Sequence, residues 1–228
     1  MGLQPTTREI RDCFANEIIS LGGSMADEFC QPERLFLRAL LPSADDVTPR
    51  DTVHGGVALR SSQREILLHP FVFREVCRNG AILSQTIDTR HVRLLPQDAS
   101  EFDIDCVFQE ISALVHQCAA PEVFREAVRS FRQARHTPVD DVMMIVSMLS
   151  GLSASIPPEV IDMVADRLEE ESDGSHYGLM NAVTSVARDT RDPELRWRLE
   201  ELGGGVPALV VPRVPQRPAK CFDPAFVS

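Results

Sequence analysis

The sequence predicts an α+β fold: a small mixed or antiparallel sheet with a packed helix, followed by a mostly helical half. Three observations predict it. Short runs rich in β-branched and aromatic residues fall between residues 34 and 95, separated by Gly, Pro, Asn and Asp. After Pro96 the apolar residues change to spacings of three and four, the period of one helical face. Four of the later segments begin at or beside a proline, at residues 121, 138, 157–158 and 193. Proline's fixed φ and missing N–H suit the first turn of a helix.

Thr6-Thr7-Arg8-Glu9 is a capping box, in which the Thr oxygen and the Glu carboxylate each satisfy an amide at the helix start. Ile10, Phe14, Ile18 and Ile19 follow as one face, and Gly22-Gly23 ends the helix. Arg34–Leu41, apolar and bounded by Pro32 and Pro42, reads as a strand. Residues 43–51, with Asp45-Asp46 and Pro49, read as a polar loop. Thr52–Arg60 and Glu65–His69 are strands joined by Ser61-Ser62-Gln63-Arg64 into a hairpin, with Gly55-Gly56 marking a bulge or a close backbone approach.

Pro70 then opens about two helical turns over Phe71–Arg78. Phe71, Val72, Phe73, Val76 and Cys77 are expected to face the core, and Asn79-Gly80 to close the helix through a positive φ. Ala81–Thr86 and Thr89–Leu95 form a second hairpin around Ile87-Asp88. Helices follow over residues 100–118, 121–136, 138–149, 158–171, 177–189 and 193–202. Gly203-Gly204-Gly205 ends the fold, and the Pro-rich remainder reads as an extended tail. The organisation is a sheet portion over 1–96, a helical portion over 97–202 packed on it as one domain, and a tail over 203–228.

The chain carries a net charge of −11. Residues 50–93 alone are positive, with seven basic and four acidic side chains. An acidic protein repels phosphate at long range, so nucleic acid needs a focused arginine patch. The candidates are Arg60, Arg64, Arg74, Arg78, Arg90 and Arg93. Arg74 and Arg78, one turn apart on the predicted helix, can hold a phosphate or a carboxylate. The competing reading is a solvated face, because the nearby aromatics Phe71 and Phe73 are assigned to the core rather than to base stacking.

Asn181 and Thr184 form a second candidate. Polar side chains inside a helix compete for backbone hydrogen bonds, so their presence behind Tyr177 and Gly178 calls for a partner. They either satisfy buried backbone or make a polar site facing the Arg74 segment.

The six cysteines contain no Cys-x-x-Cys and read as reduced. His54, His69, Cys77 and His91 match no zinc spacing, so no metal is expected. Cys77, between two arginines in sequence, lacks a His–Asn pair to complete a catalytic set. Without a dinucleotide, P-loop or nucleophile-elbow motif, no cofactor is expected, and an enzyme is the less favoured class. No apolar run reaches the ~20 residues of a membrane span, so a cytoplasmic protein is expected.

Three blocks carry a resemblance. They are His54-Gly-Gly-Val-Ala-Leu-Arg-Ser-Ser62, the His69-Pro-Phe-Val-Phe-Arg-Glu-Val-Cys-Arg-Asn-Gly-Ala-Ile-Leu83 stretch, and Tyr177-Gly-Leu-Met-Asn-Ala-Val-Thr184. In this order they resemble the domain of unknown function 932 family of phage- and plasmid-borne bacterial proteins, of which the chain looks like a short version. The resemblance implies a non-enzymatic accessory protein of phage- or plasmid-type DNA metabolism. Its expected partners are single-stranded nucleic acid, a DNA-processing protein, or further copies of itself. The alternatives are an acidic interaction or oligomerisation module without nucleic-acid binding, and an enzyme acting on an anionic substrate.

Overall fold

The computed structural model describes residues 4–84, 90–94, 104–139, 156–171 and 173–208. Helix α1 (Thr7–Ser20) starts at the capping box: Thr6 Oγ1 accepts from the Glu9 amide, and Glu9 Oε2 accepts from the Thr6 amide at 2.8 Å. Ile10, Phe14 and Ile18 are buried, whereas Ile19 turns to solvent. Gly22, at φ 75°, makes the turn out of the helix.

The sheet is antiparallel throughout. Its strands are β1 (Ser24–Gln31), β2 (Arg34–Thr48), β3 (Asp51–Ser61), β4 (Glu65–Arg74), β5 (Asn79–Ile82) and β6 (Arg90–Arg93). The order is β1-β2-β3-β4, with β5 and β6 both pairing with the outer edge of β4. Strand β1 lacked a hydrophobic signature and was not legible in the sequence. The expected loop over 43–51 is mostly strand: β2 continues to Thr48 and turns directly into β3. Val47 is buried there, and Thr52 Oγ1 donates to Asp46 Oδ1 at 2.7 Å, so cross-strand pairing outweighs the local turn chemistry.

The expected irregularity at Gly55-Gly56 is present, with its extra residues on β2. Leu40 pairs with Gly56 and Ala44 with His54, so β2 bulges around Pro42. A Cβ on Gly56 would lie 2.1 Å from the Ala39 carbonyl oxygen.

The expected helix over Phe71–Arg78 is corrected by the structure. Strand β4 runs through Pro70 to Arg74, and a turn over residues 75–78 leads into β5. Two isolated helical turns are too short to propagate, and Phe71-Val72-Phe73 gains a full ladder on β3 instead. Pro70 is tolerated because a strand residue's N–H and C=O point to the same side. Its carbonyl accepts from the Leu83 amide at 2.9 Å, so the missing N–H falls in the gap between β5 and β6.

Of the five residues assigned to the core there, Phe71 and Val72 are buried, Phe73 and Cys77 are half-buried, and Val76 is 60% exposed. The positive φ belongs to Arg78, at 51°, rather than to Asn79 or Gly80. The second hairpin is also corrected: β5 and β6 do not face each other but follow one another along β4. Its expected turn lies outside the described residues.

The helical half holds α2 (Ile104–Cys118), α3 (Pro121–Ala134), α4 (Pro158–Glu171), α5 (His176–Asp189) and α6 (Pro193–Gly205), close to the expected bounds. The predicted helix over 138–149 lies almost wholly outside the described residues. A 3-10 turn over Val206–Ala208 follows α6. The triglycine does not stop α6, which runs through it. A Cβ on Gly204 would sit 2.0 Å from the Ile82 carbonyl oxygen, so glycine lets α6 lie directly on β5. Residues 209–228 of the predicted tail lie outside the described residues.

Both faces of the sheet are covered. Leu35, Leu37, Val57, Leu59, Ile66 and Leu68 pack against α1 and α2. Val53, Val72 and Ala81 meet α3 and α5 through Phe131 and Tyr177. On the opposite face Phe36, Ala58, Phe71 and Ile82 close around Trp197 of α6. The class is α+β with a mostly helical second half, as the sequence predicts.

Candidate functional site

Strand alternation decides where each candidate arginine goes. Arg74 ends β4 on the α3–α5 face, paired with Val53, two residues into β3. There Arg74 Nε donates to Asp51 Oδ1 at 2.7 Å, and the Tyr177 hydroxyl donates to Asp51 Oδ2 at 2.9 Å. The guanidinium lies over the Tyr177 ring at 5.7 Å, and Nη1 reaches Cys77 Sγ at 3.2 Å. Burial, and then the negative Asp51, push the Tyr177 hydroxyl above its ordinary range, which keeps it a donor. Arg74 therefore ties the β3–β4 ladder to α5 and does not face solvent as an anion clamp.

Arg60 is also committed. It pairs with Glu194 of α6 at 2.8 Å and lies 6.0 Å over the Phe36 ring. Arg64 is exposed at the β3–β4 turn, whereas Arg78 is exposed at the far end of β4. Arg90 and Arg93 lie on β6, and their side chains are outside the described residues. The four candidate arginines with described side chains thus do not form a patch. Two are in ion pairs, and the other two are separated by the length of β4.

The structure places Thr184 and the backbone of Asn181 against Asn79 of β5, which follows the turn after Arg74. Asn79 Nδ2 donates to Thr184 Oγ1 at 2.7 Å and to the Asn181 carbonyl at 3.3 Å, and Thr184 donates to the Met180 carbonyl at 2.9 Å. A Cβ on Gly178 would lie 1.9 Å from the Asp173 carbonyl oxygen, so this glycine permits close packing at the start of α5. The second and third blocks of the sequence motif meet in this buried polar contact. Asp51, the acid that joins Arg74 to Tyr177, was missed in the sequence. It fell at the end of the stretch read as a polar loop, within the positive segment.

The other face of β4 carries a feature that sequence reasoning did not assemble. Helix α6 covers only part of this face, and beside it lies a cleft of about 650 Å³. Leu40 of β2 with Phe71 and Phe73 of β4 form an apolar wall, and Arg78, Arg188 and Arg196 stand around it. At its base the buried Arg38 donates through Nε to Glu200 Oε2 at 2.7 Å and contacts Asp27 Oδ2 at 3.3 Å. Arg196 bridges the same two acids, at 2.8 Å to Asp27 and 3.1 Å to Glu200. Arg188 is held by Asp189 and donates to the Cys77 carbonyl, fixing the turn over residues 75–78 against α5. Arg78 makes no ion pair or side-chain hydrogen bond among the described residues.

His54 sits 3.4 Å from Glu75, while His69 is buried against Trp197 with its Nε2 3.7 Å from Glu201. Among the described residues no three His, Cys, Asp or Glu side chains are grouped to hold a metal. No described helix is long and apolar enough to cross a membrane. No family model, curated protein or solved structure matches the chain.

Proposed function

We propose that this protein is a non-enzymatic accessory factor that binds nucleic acid, and that it does so in the cleft between β4 and α6. The observation that carries the reading is the juxtaposition of a half-buried aromatic wall, Phe73 beside Leu40, with the uncommitted guanidinium of Arg78 at the mouth. Aromatic faces and arginines side by side are the combination that nucleic-acid grooves use. The cleft volume lies within the range of pockets that enclose small ligands. The enclosure of Arg74 by Asp51 and Tyr177 speaks against an enzyme that would clamp an anionic substrate with Arg74 and Arg78. The resemblance to phage- and plasmid-borne proteins supports the same setting of DNA metabolism.

A fluorescence anisotropy titration with labelled oligonucleotides tests the reading. Binding is expected at 50 mM salt, and it is expected to weaken as salt rises. Arg78→Ala should flatten the slope of log affinity against log salt by ~0.7 if the strand is single and one phosphate contact is lost. Arg64→Ala, at the opposite end of β4, should leave affinity nearly unchanged. Absence of binding by the intact protein at low salt refutes the reading.

A second reading rests on α4. Its exposed face presents Glu159, Asp162, Asp166, Glu169 and Glu170 around Met163, which is 48% exposed. A basic protein partner is the expected complement, and binding of such a partner without nucleic acid would favour this reading.

A further inference from the structure

We infer that the cleft selects single strands by taking one unstacked base onto Phe73 while Arg78 holds the adjoining phosphate at the mouth; this rests on the nucleic-acid reading above. The charge layering of the cleft carries the inference. The buried Arg38 and Glu200 form its base, the more exposed Asp27 and Arg196 flank them, and both arginines are already neutralised by these two carboxylates. A phosphate gains little at that depth and meets two carboxylates. The uncharged surface is the aromatic wall, where Phe73 lies two residues beyond the core residue Phe71 on the same strand face. Phe73 is half-buried: it pairs with His54 of β3 and with Gly80 of β5, and it is the Phe71 ring that lies over Gly80. The arrangement therefore fits a ligand that is flat and neutral at one end and anionic at the other, inserted flat end first.

Arg78 supplies the second half of the recognition. It is an exposed non-glycine residue at φ 51°, a backbone conformation that favours glycine. It borders the cleft without a partner carboxylate, although Glu75 of the same turn lines the cleft too. Left-handed arginine in a ligand-lining turn is the kind of strain that persists where the side chain is used. A base inside a duplex has both faces stacked and cannot reach Phe73, whereas an unpaired base offers its π face without sequence preference.

The test compares four probes by anisotropy against the intact protein. They are a labelled thymidine 15-mer, the same length of abasic strand, inorganic polyphosphate and thymidine monophosphate. The thymidine strand is expected to bind roughly 5- to 100-fold more tightly than the abasic strand, the factor that stacking one base supplies. Polyphosphate and the mononucleotide are expected to bind more weakly still. Phe73→Leu should erase the difference between the thymidine and abasic strands, and Phe73→Tyr should keep it. Arg78→Gly should weaken both strands while the melting temperature holds or rises. Equal binding of the thymidine and abasic strands overturns the inference but leaves nucleic-acid binding intact. Equal binding of the mononucleotide assigns the cleft to a free nucleotide and likewise overturns it. Failure of every probe refutes the underlying reading as well.

Discussion

His69 offers the most direct measurement of how α6 is held on the sheet. The imidazole is buried on β4, 6.0 Å from the Trp197 ring, and burial lowers its pKa from 6.5 to about 4. A histidine whose folded pKa lies below its unfolded value binds fewer protons when folded, so it costs nothing above pH 6.5. Its penalty accumulates as pH falls from 6.5 towards 4. The difference of about 2.5 units corresponds to about 3 kcal/mol. Two neighbours act in the opposite sense. Burial raises the carboxyls of Glu200 and Glu201, so their protonation favours the folded state as pH falls. Absolute stability therefore mixes both signs, and a difference measurement separates them. Urea unfolding of the protein and of His69→Gln should be followed at pH 7.5, 6, 5 and 4. The stability of the wild type relative to the variant is expected to fall by about 3 kcal/mol across that range. Parallel curves for the two proteins would refute the claim that the fold holds His69 neutral.

Two further perturbations test the elements that position the cleft. Asp51→Ala leaves Arg74 without its carboxylate in a largely buried position and removes the acceptor of the Tyr177 hydroxyl, so a loss of about 3 kcal/mol is expected in chemical denaturation. Asp51→Asn should lose less, because its side-chain oxygen still accepts one hydrogen bond. Gly204→Ala drives a methyl to within 2.0 Å of the Ile82 carbonyl oxygen, so α6 must lift from β5. A drop of about 2 kcal/mol and a loss of affinity for the cleft's ligand are expected together; an unchanged melting temperature would show that α6 does not rest on β5.

Much of the fold was legible in the residues. The capping box at Thr6–Glu9, the proline-led starts of α3, α4 and α6, and the Ser61–Arg64 hairpin are local signals, and local hydrogen bonding or a fixed φ realises each of them. The strand character of Phe71–Arg74 was not local. Pro70 and Asn79-Gly80 satisfy the rules for a helix start and stop, but the ladder to β3 and the gap between β5 and β6 make the same residues a strand and a turn. The triglycine misled in the same way: glycine after an apolar run signals an end, whereas at residue 204 its missing side chain admits a backbone.

The candidate site divides along the same line. That Asn181 and Thr184 are polar residues in want of partners follows from the sequence, and the structure sets Asn79 Nδ2 against Thr184 Oγ1 and the Asn181 carbonyl. Which arginines remain available for a ligand does not follow from it. Arg60 and Arg74 look equivalent to Arg78 in composition and spacing, yet the docking of α6 supplies Glu194 to Arg60 and the β3–β4 pairing supplies Asp51 to Arg74. Charge along a chain is fixed by its residues, but its neutralisation depends on side chains that are not sequence neighbours, Asp51 for Arg74 and Glu194 for Arg60, and only packing brings those together.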